Sequence, residues 1–187
     1  MIFTGYYCFC AINFFRRIVM EPKTIRALFE YNWRIREKWF AWCQQIQEEE
    51  LFKERNGGYK GFMQTLFHIV DVEQRWLSGL VDTESIKYNF TDFDNLESII
   101  RFSRETQTRF TSFLNNYTRG SGAQILNAVN KKGENVAYIY IEILLHLAVH
   151  ESHHIGQMSV WAREIGKEPV TANLIGLNIF NNEDWKY

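Results

Sequence analysis

Apolar residues recur every three or four positions in four stretches of the chain, which is typical of amphipathic α-helices that pack along one face. The four stretches cover approximately residues 23–50, 60–80, 94–120 and 143–165. Asn56-Gly57-Gly58 separates the first two stretches, and Gly166 with Pro169 ends the last one. The pattern therefore predicts an all-α fold in which four helices form a bundle.

A long connection separates the second predicted helix from the third, between Leu80 and Asp94. This connection is long enough to cross the end of a bundle, so it lets the two helices run parallel. We expect Asp94 to cap the third helix, because Glu97 follows it at the spacing of a capping box. We expect Gly120 to end that helix.

The segment before the last helix has a different pattern. Residues 124–129 and 135–140 are two short, largely apolar stretches on either side of Lys131-Lys132-Gly133. Such a pattern predicts either a short hairpin or an irregular lead into the last helix.

The first nineteen residues differ in character from the rest of the chain. Their apolar run, residues 2–15, is shorter than the about 20 residues that a membrane-spanning helix needs. The Arg16-Arg17 pair follows this run, whereas the basic residues of a signal peptide precede its apolar part. We expect that Met20 is the natural start and that residues 1–19 are upstream sequence translated in frame; a membrane anchor is the alternative. The predicted domain covers residues 20–187.

Composition narrows the classes of partner. The 187 residues are enough for one domain with a well-packed core. Lys and Arg total 21 against 22 Asp and Glu, and no basic face is interleaved with aromatic residues, so nucleic acid is not an expected partner. Three cysteines, an odd number, do not make a disulfide framework. This cysteine usage indicates a reducing compartment, so we expect a cytoplasmic protein with no membrane partner.

The candidate chemistry lies in the last helix. Four of the five histidines fall between residues 146 and 154, and His150 and His154 share the middle of the apolar face. Buried polar groups need partners, so these rings require either a hydrogen-bond network or a cation. Two histidines four residues apart can bind one metal ion, and His68, which borders the core, is the remaining histidine available as a third ligand. Histidines satisfied by hydrogen bonds without any metal are the alternative.

Two segments resemble a known family. L-F-H-I-V-D-V-E-Q-R-W surrounds His68, and H-L-A-V-H-E-S-H-H-I-G-Q-M contains His150 and His154. Together they resemble the DinB-like (YfiT/DinB) proteins. This resemblance implies a four-helix bundle in up-down-down-up order and one divalent metal ion, zinc, nickel or iron, held by His68, His150 and His154. Ile155 departs from the family, which more often has arginine at that position.

The resemblance also implies a set of neighbouring groups and an activity. His153, Gln157 and Glu151 are candidates to surround the three ligands. Three protein ligands leave positions open, as in catalytic sites. Several DinB-like proteins are metal-dependent transferases or isomerases that use low-molecular-weight thiols, such as bacillithiol. The resemblance thus implies a thiol S-transferase that acts on a small-molecule substrate, and the chain is a candidate homodimer. A non-catalytic, metal-binding stress-response protein is the alternative.

A second alternative comes from the H-E-S-H-H segment, which matches the H-E-x-x-H pattern of zinc hydrolases. In that hypothesis Glu151 is the general base. No histidine follows His154, so a third ligand would have to come from Glu164, Glu168 or Glu183. His68 would then have no role, which favours the DinB-like hypothesis.

Overall fold

In the computed structural model, which describes residues 20–130 and 132–179, α-helices alternate with turns and one antiparallel hairpin. The helices are α1 (Pro22–Cys43), α2 (Glu48–Phe52), α3 (Phe62–Leu80), α4 (Leu96–Asn116) and α5 (Tyr140–Glu164). The hairpin pairs β1 (Ile125–Val129) with β2 (Asn135–Ile139). The all-α prediction is therefore confirmed. Of the two alternatives for the segment before the last helix, the structure has the hairpin. The interpretation of residues 1–19 lies outside the described residues.

The directions of the helices follow from contacts that α1 makes along its length. Asn32 and Arg36 of α1 contact Ala148 and Glu151 of α5 in the same order, so α1 and α5 run parallel. Trp33 bonds to Glu73 in the second half of α3, whereas Trp39, later in α1, packs on Phe62 at its start. Helices α1 and α3 are therefore antiparallel.

Helix α4 is also antiparallel to α1, since Phe29 stacks on Phe110 while Arg36 bonds to Ser103. Helices α3 and α4 consequently run in the same direction, joined by residues 81–95. The bundle thus has the expected up-down-down-up order, with the long connection between its second and third helices.

Several predicted boundaries were wrong. The first helix ends at Cys43 and not near Glu50, because the chain turns and forms α2, which brings Leu51 into the core. Helix α4 is capped by Asn95 and not by Asp94: the Asn95 side chain accepts a hydrogen bond from the Ser98 backbone N–H at 2.9 Å. That helix ends at Asn116, four residues before Gly120.

The core has two apolar halves. One half is formed around Trp39, Phe62 and Met158, and the other around Phe29, Phe110 and Leu144. Along each of the four long helices a buried polar residue lies between the two halves: Arg36, Glu73, Ser103 and Glu151. The polar residues therefore form a layer across the middle of the bundle.

Arg36 is the centre of this layer. Its Nε and Nη2 donate to the two carboxylate oxygens of Glu151 at 2.8 and 2.6 Å, and Nη2 also donates to Glu73 at 2.5 Å. Its Nη1 donates to the Ser103 hydroxyl at 3.1 Å, so one guanidinium links all four bundle helices. Burial lowers the pKa of Arg36, but the two carboxylates outweigh that effect and the pKa is raised.

Within residues 20–130 and 132–179, no helix combines the length and the apolar character that crossing a membrane requires.

Candidate metal centre

Three histidines from two helices converge at the seam between α3 and α5. The Nε2 atom of His150 lies 3.2 Å from Nε2 of His68 and 3.2 Å from Nε2 of His154. One ligand nitrogen from each ring lies within 4.8 Å of the others. Helix α5 aligns His150 and His154 because they are four residues apart, whereas His68 reaches them through the antiparallel packing of α3. This group of side chains could hold one metal ion.

The spacing of the nitrogens fits a metal ion. Tetrahedral zinc with Zn–N bonds of about 2.0–2.1 Å places two ligand nitrogens roughly 3.3–3.4 Å apart. The observed separations of 3.2 Å are close to that value. Neutral imidazole is also a suitable ligand for nickel and iron, so the three rings accommodate any of the three expected metals.

Hydrogen bonding alone does not account for both contacts of the His150 ring. His154 Nδ1 lies 2.7 Å from Gln157 Oε1, an acceptor, so Nδ1 carries the proton and Nε2 of the neutral ring has a lone pair. The Nε2 atom of His150 has either one proton or one lone pair, yet it faces two other Nε2 atoms. At most one of these two contacts can be a linear hydrogen bond between neutral rings. A cation, by contrast, would use a lone pair from each of the three.

Gln157 and His153 form a chain of hydrogen bonds behind His154. The Gln157 amide nitrogen donates to His153 Nε2 at 2.9 Å, which fixes the direction of the amide and turns its oxygen towards His154. Outer hydrogen bonds of this type set the tautomer and orientation of a metal-binding imidazole. Both residues therefore lie where a group supporting the ligands is expected.

The electrostatic environment favours the neutral form of His150 and His154. Burial, together with the neighbouring histidines, lowers the pKa of His150 to about 3. Burial also lowers the pKa of His154, although its bond to Gln157 acts in the opposite direction. Neutral imidazole is the form that binds a metal ion, so the rings need not lose a proton before binding at neutral pH.

These pKa values predict how the stability of the metal-free protein depends on pH. Between the ordinary histidine pKa of 6.5 and about 3, the unfolded state binds a proton at His150 that the folded state does not. The free energy of unfolding should therefore fall as the pH falls through this window. Urea unfolding of chelator-treated protein at about pH 7.5 and 5.5 should give a smaller loss in His150→Gln than in wild type. The exposed neighbour His146 is the control: it is a lesser cause of the lowered His150 pKa, so His146→Gln should keep most of the wild-type loss, and equal losses in all three proteins would contradict the prediction.

Glu151, a candidate general base or supporting group from the sequence, lies in the buried polar layer. Both of its carboxylate oxygens accept hydrogen bonds from Arg36 inside the buried polar layer. The side chain is thus committed to an ion pair, on the core side of α5, although His150 is its neighbour in sequence. A carboxylate that is held by Arg36 is less available as a general base, which counts against the H-E-x-x-H hydrolase hypothesis.

The structure adds one residue that the sequence patterns did not indicate. The Tyr59 ring stacks on the His68 ring, with centroids 3.8 Å apart and planes 11° from parallel. Tyr59 follows the Asn56-Gly57-Gly58 break, and those glycines are the only sequence signal that the chain there makes an unusual turn.

Ile155, where the family more often has arginine, is buried in the apolar core.

Comparison with known proteins decides the family. Residues 20–182 match the model of the DinB family. The chain belongs to the DinB family. It is 40% identical over 148 residues to the uncharacterized protein YizA of Bacillus subtilis (strain 168), covering 79% of this chain and 92% of YizA.

A solved DinB-like structure has the same fold. The protein from Bacillus cereus ATCC 10987 superposes with a TM-score of 0.61 at 21% sequence identity, covering 83% of this DinB-family chain and 98% of the other. The family resemblance stated from the two histidine segments is therefore confirmed.

Proposed function

We propose that this protein is a divalent-metal-dependent enzyme that transfers a low-molecular-weight thiol, such as bacillithiol, to a small-molecule electrophile. The observation that carries the proposal is the convergence of His68, His150 and His154: the Nε2 atom of His150 lies 3.2 Å from Nε2 of each of the other two, and one ligand nitrogen from each ring lies within 4.8 Å of the others. Three protein ligands leave coordination positions open for a small molecule, as in catalytic metal sites. The metal in this proposal is zinc, nickel or iron.

Each side chain has a defined part in the proposed reaction. A divalent cation, when bound, supplies the positive charge that keeps a nearby thiol deprotonated at neutral pH. The three imidazoles would hold that cation in their neutral forms, and Gln157 would keep the His154 ring oriented. In the transfer, the thiol sulfur forms a bond to an electrophilic carbon, the leaving group departs with its electron pair, and the thiol proton passes to solvent.

The thiol in this proposal comes from a cosubstrate. Within the described residues, Cys43 is the cysteine present, and burial raises the pKa of its thiol to about 12. A protonated and buried thiol is a poor nucleophile at neutral pH. The reacting sulfur is therefore assigned to a small molecule and not to this side chain.

A conjugation assay tests the proposal. Protein purified without a histidine tag and loaded with zinc, nickel or iron is mixed with bacillithiol and monochlorobimane, whose conjugate is fluorescent. We expect conjugate to form faster with loaded protein than with chelator-treated protein or with His150→Ala/His154→Ala. Metal binding with no acceleration for any of the three metals would contradict the transferase and favour the non-catalytic metal-binding alternative.

We further propose a cytoplasmic homodimer. Val149 and Val160 are 68% and 54% exposed on the outer face of α5, eleven residues apart and so on one side of the helix. Gly156 lies between them and has no neighbouring atom within 4 Å of where a Cβ would be. The two exposed valines and the open space at Gly156 give a second copy of the helix a place to pack. Sedimentation of wild type and Val160→Glu measures whether the dimer exists and whether it uses this face.

A further inference from the structure

The segment between α2 and α3, residues 56–61, which we call the strap, has an unusual backbone. Gly57, Gly58 and Lys60 have φ of 74°, 56° and 65°, values in the left-handed region that favours glycine. Hydrogen bonds from α5 and α3 hold the strap at two points. The Trp161 indole N–H donates to the Asn56 carbonyl at 3.2 Å, and the Thr65 hydroxyl donates to the Tyr59 carbonyl at 3.3 Å. The strap therefore lies against the side of α5 that carries Gln157 and Trp161, beside the histidines.

Gly58 brings the strap into contact with the residue that orients His154. A Cβ at Gly58 would lie 2.8 Å from Gln157 Oε1 and 2.8 Å from the Trp161 ring. Cβ atoms in proteins essentially never lie so close to other atoms. The absence of a Cβ at Gly58 therefore allows the backbone to approach Gln157 and Trp161. The same Gln157 oxygen accepts the hydrogen bond from His154 Nδ1. The strap thus contacts Gln157 at the same oxygen that orients the His154 ring.

Tyr59 brings the strap into contact with a second histidine. Its ring covers the His68 ring face to face at 3.8 Å, and it meets the His154 ring edge-on at 6.5 Å. Parallel stacking restricts rotation of the imidazole about its side-chain bonds. His68 is the one proposed ligand that does not come from α5, so its orientation is not set by the spacing within that helix.

We infer that Gly58 and Tyr59 are positioning residues of the metal centre, Tyr59 through the ring of His68 and Gly58 through Gln157 and His154. The inference rests on the metal centre of the proposed function, but not on the thiol transfer. One short loop then orients two of the three ligands from outside, on two different helices. These rings are then already directed at one point before the metal binds. Less side-chain entropy is lost on binding, and the affinity for the metal is higher.

The experiment measures the affinity for zinc by competition with a chromophoric chelator, together with the visible absorption spectrum of the cobalt-substituted protein. The variants are Tyr59→Leu, Tyr59→Phe and Gly58→Ala. The matched control is Gly57→Ala, because Gly57 also has positive φ but nothing lies within 4 Å of its Cβ position. Thermal unfolding of each metal-free variant measures any change in the fold itself.

We expect Tyr59→Leu and Gly58→Ala each to weaken zinc binding by about tenfold or more, the size typical of losing a group that orients a metal ligand. Tyr59→Phe should keep the wild-type affinity, because it keeps the stacked ring. Gly57→Ala should bind zinc within about twofold of wild type, although it carries the same backbone cost. The cobalt spectrum should change in the two weakened variants and not in the other two.

Other results would overturn the inference. If wild type binds zinc and Tyr59→Leu binds it equally well, the stacked ring does not position His68. Equal weakening by Gly57→Ala and Gly58→Ala would mean that the effect comes from the backbone and not from Gln157. If the wild type itself binds no zinc, nickel or iron, the metal centre of the proposed function fails, and this inference fails with it. Zinc binding without thiol transfer leaves the inference intact.

Discussion

His68→Ala should lose its bound metal while the bundle stays folded. Wild-type protein purified without a histidine tag should contain about one equivalent of a divalent metal by elemental mass spectrometry. Removing His68 leaves two ligands on α5 and one empty position, and we expect the affinity for zinc to fall by at least about 100-fold. His150→Ala/His154→Ala, which leaves His68 alone, should bind none.

His146 provides the control for this prediction. It lies one turn before His150 on α5, and its ring centroid is 5.6 Å from that of His150, but it is not one of the three convergent histidines. His146→Ala should therefore keep the metal content of wild type. A metal content that survives in His68→Ala, or that is absent from wild type even when zinc, nickel and iron are offered, would exclude the proposed centre.

Arg36→Met should destabilise the protein strongly. The Arg36 side chain is 2% exposed and is bonded to two buried carboxylates, Glu73 and Glu151. Methionine occupies a similar volume but leaves two negative charges facing each other without a cation. Breaking a buried pair in this way costs about 3–5 kcal/mol of unfolding free energy. For a domain of this size the loss corresponds to a melting temperature lower by roughly 6–20 °C, measured by calorimetry or circular dichroism.

Arg34 gives a matched comparison two residues earlier on α1. It forms an ion pair with Glu30 one turn away, and both side chains are more than a third exposed. Arg34→Met should cost at most about 1 kcal/mol, as is usual for exposed pairs. If the two methionine variants unfold at the same temperature, the buried layer does not stabilise the bundle as argued. A triple variant with Glu73→Gln and Glu151→Gln should recover part of the loss, because it removes both uncompensated charges.

The predictions that succeeded rest on local patterns. The helical period identified the four bundle helices, because each helix must bury an apolar face whatever it packs against. The spacing of His150 and His154 placed both rings on one side of α5, since residues four apart on a helix are neighbours. The boundaries were less accurate because they depend on contacts outside the helical period. The end of α1 depends on the turn that buries Leu51 in the core, and the start of α4 depends on the bond between the Ser98 N–H and Asn95.

The structure gives Glu151 a contact that its sequence motif did not indicate. The H-E-x-x-H motif specifies the spacing of residues along the chain, but it does not specify which partner each side chain contacts. Arg36 lies 115 residues away in sequence and holds the Glu151 carboxylate on the core side of α5. No local pattern contains that contact.

The sequence by itself determined the helical elements, the long connection that makes α3 and α4 parallel, and the pair of histidines on α5. It also identified His68 by elimination. Only the tertiary structure decided that His68 lies 3.2 Å from His150 of that pair, that Glu151 bonds to Arg36, and that Tyr59 covers His68. The physical reason is that periodicity records the burial of one helix face, whereas these three contacts join segments far apart in the chain, and their geometry exists only once the helices have packed.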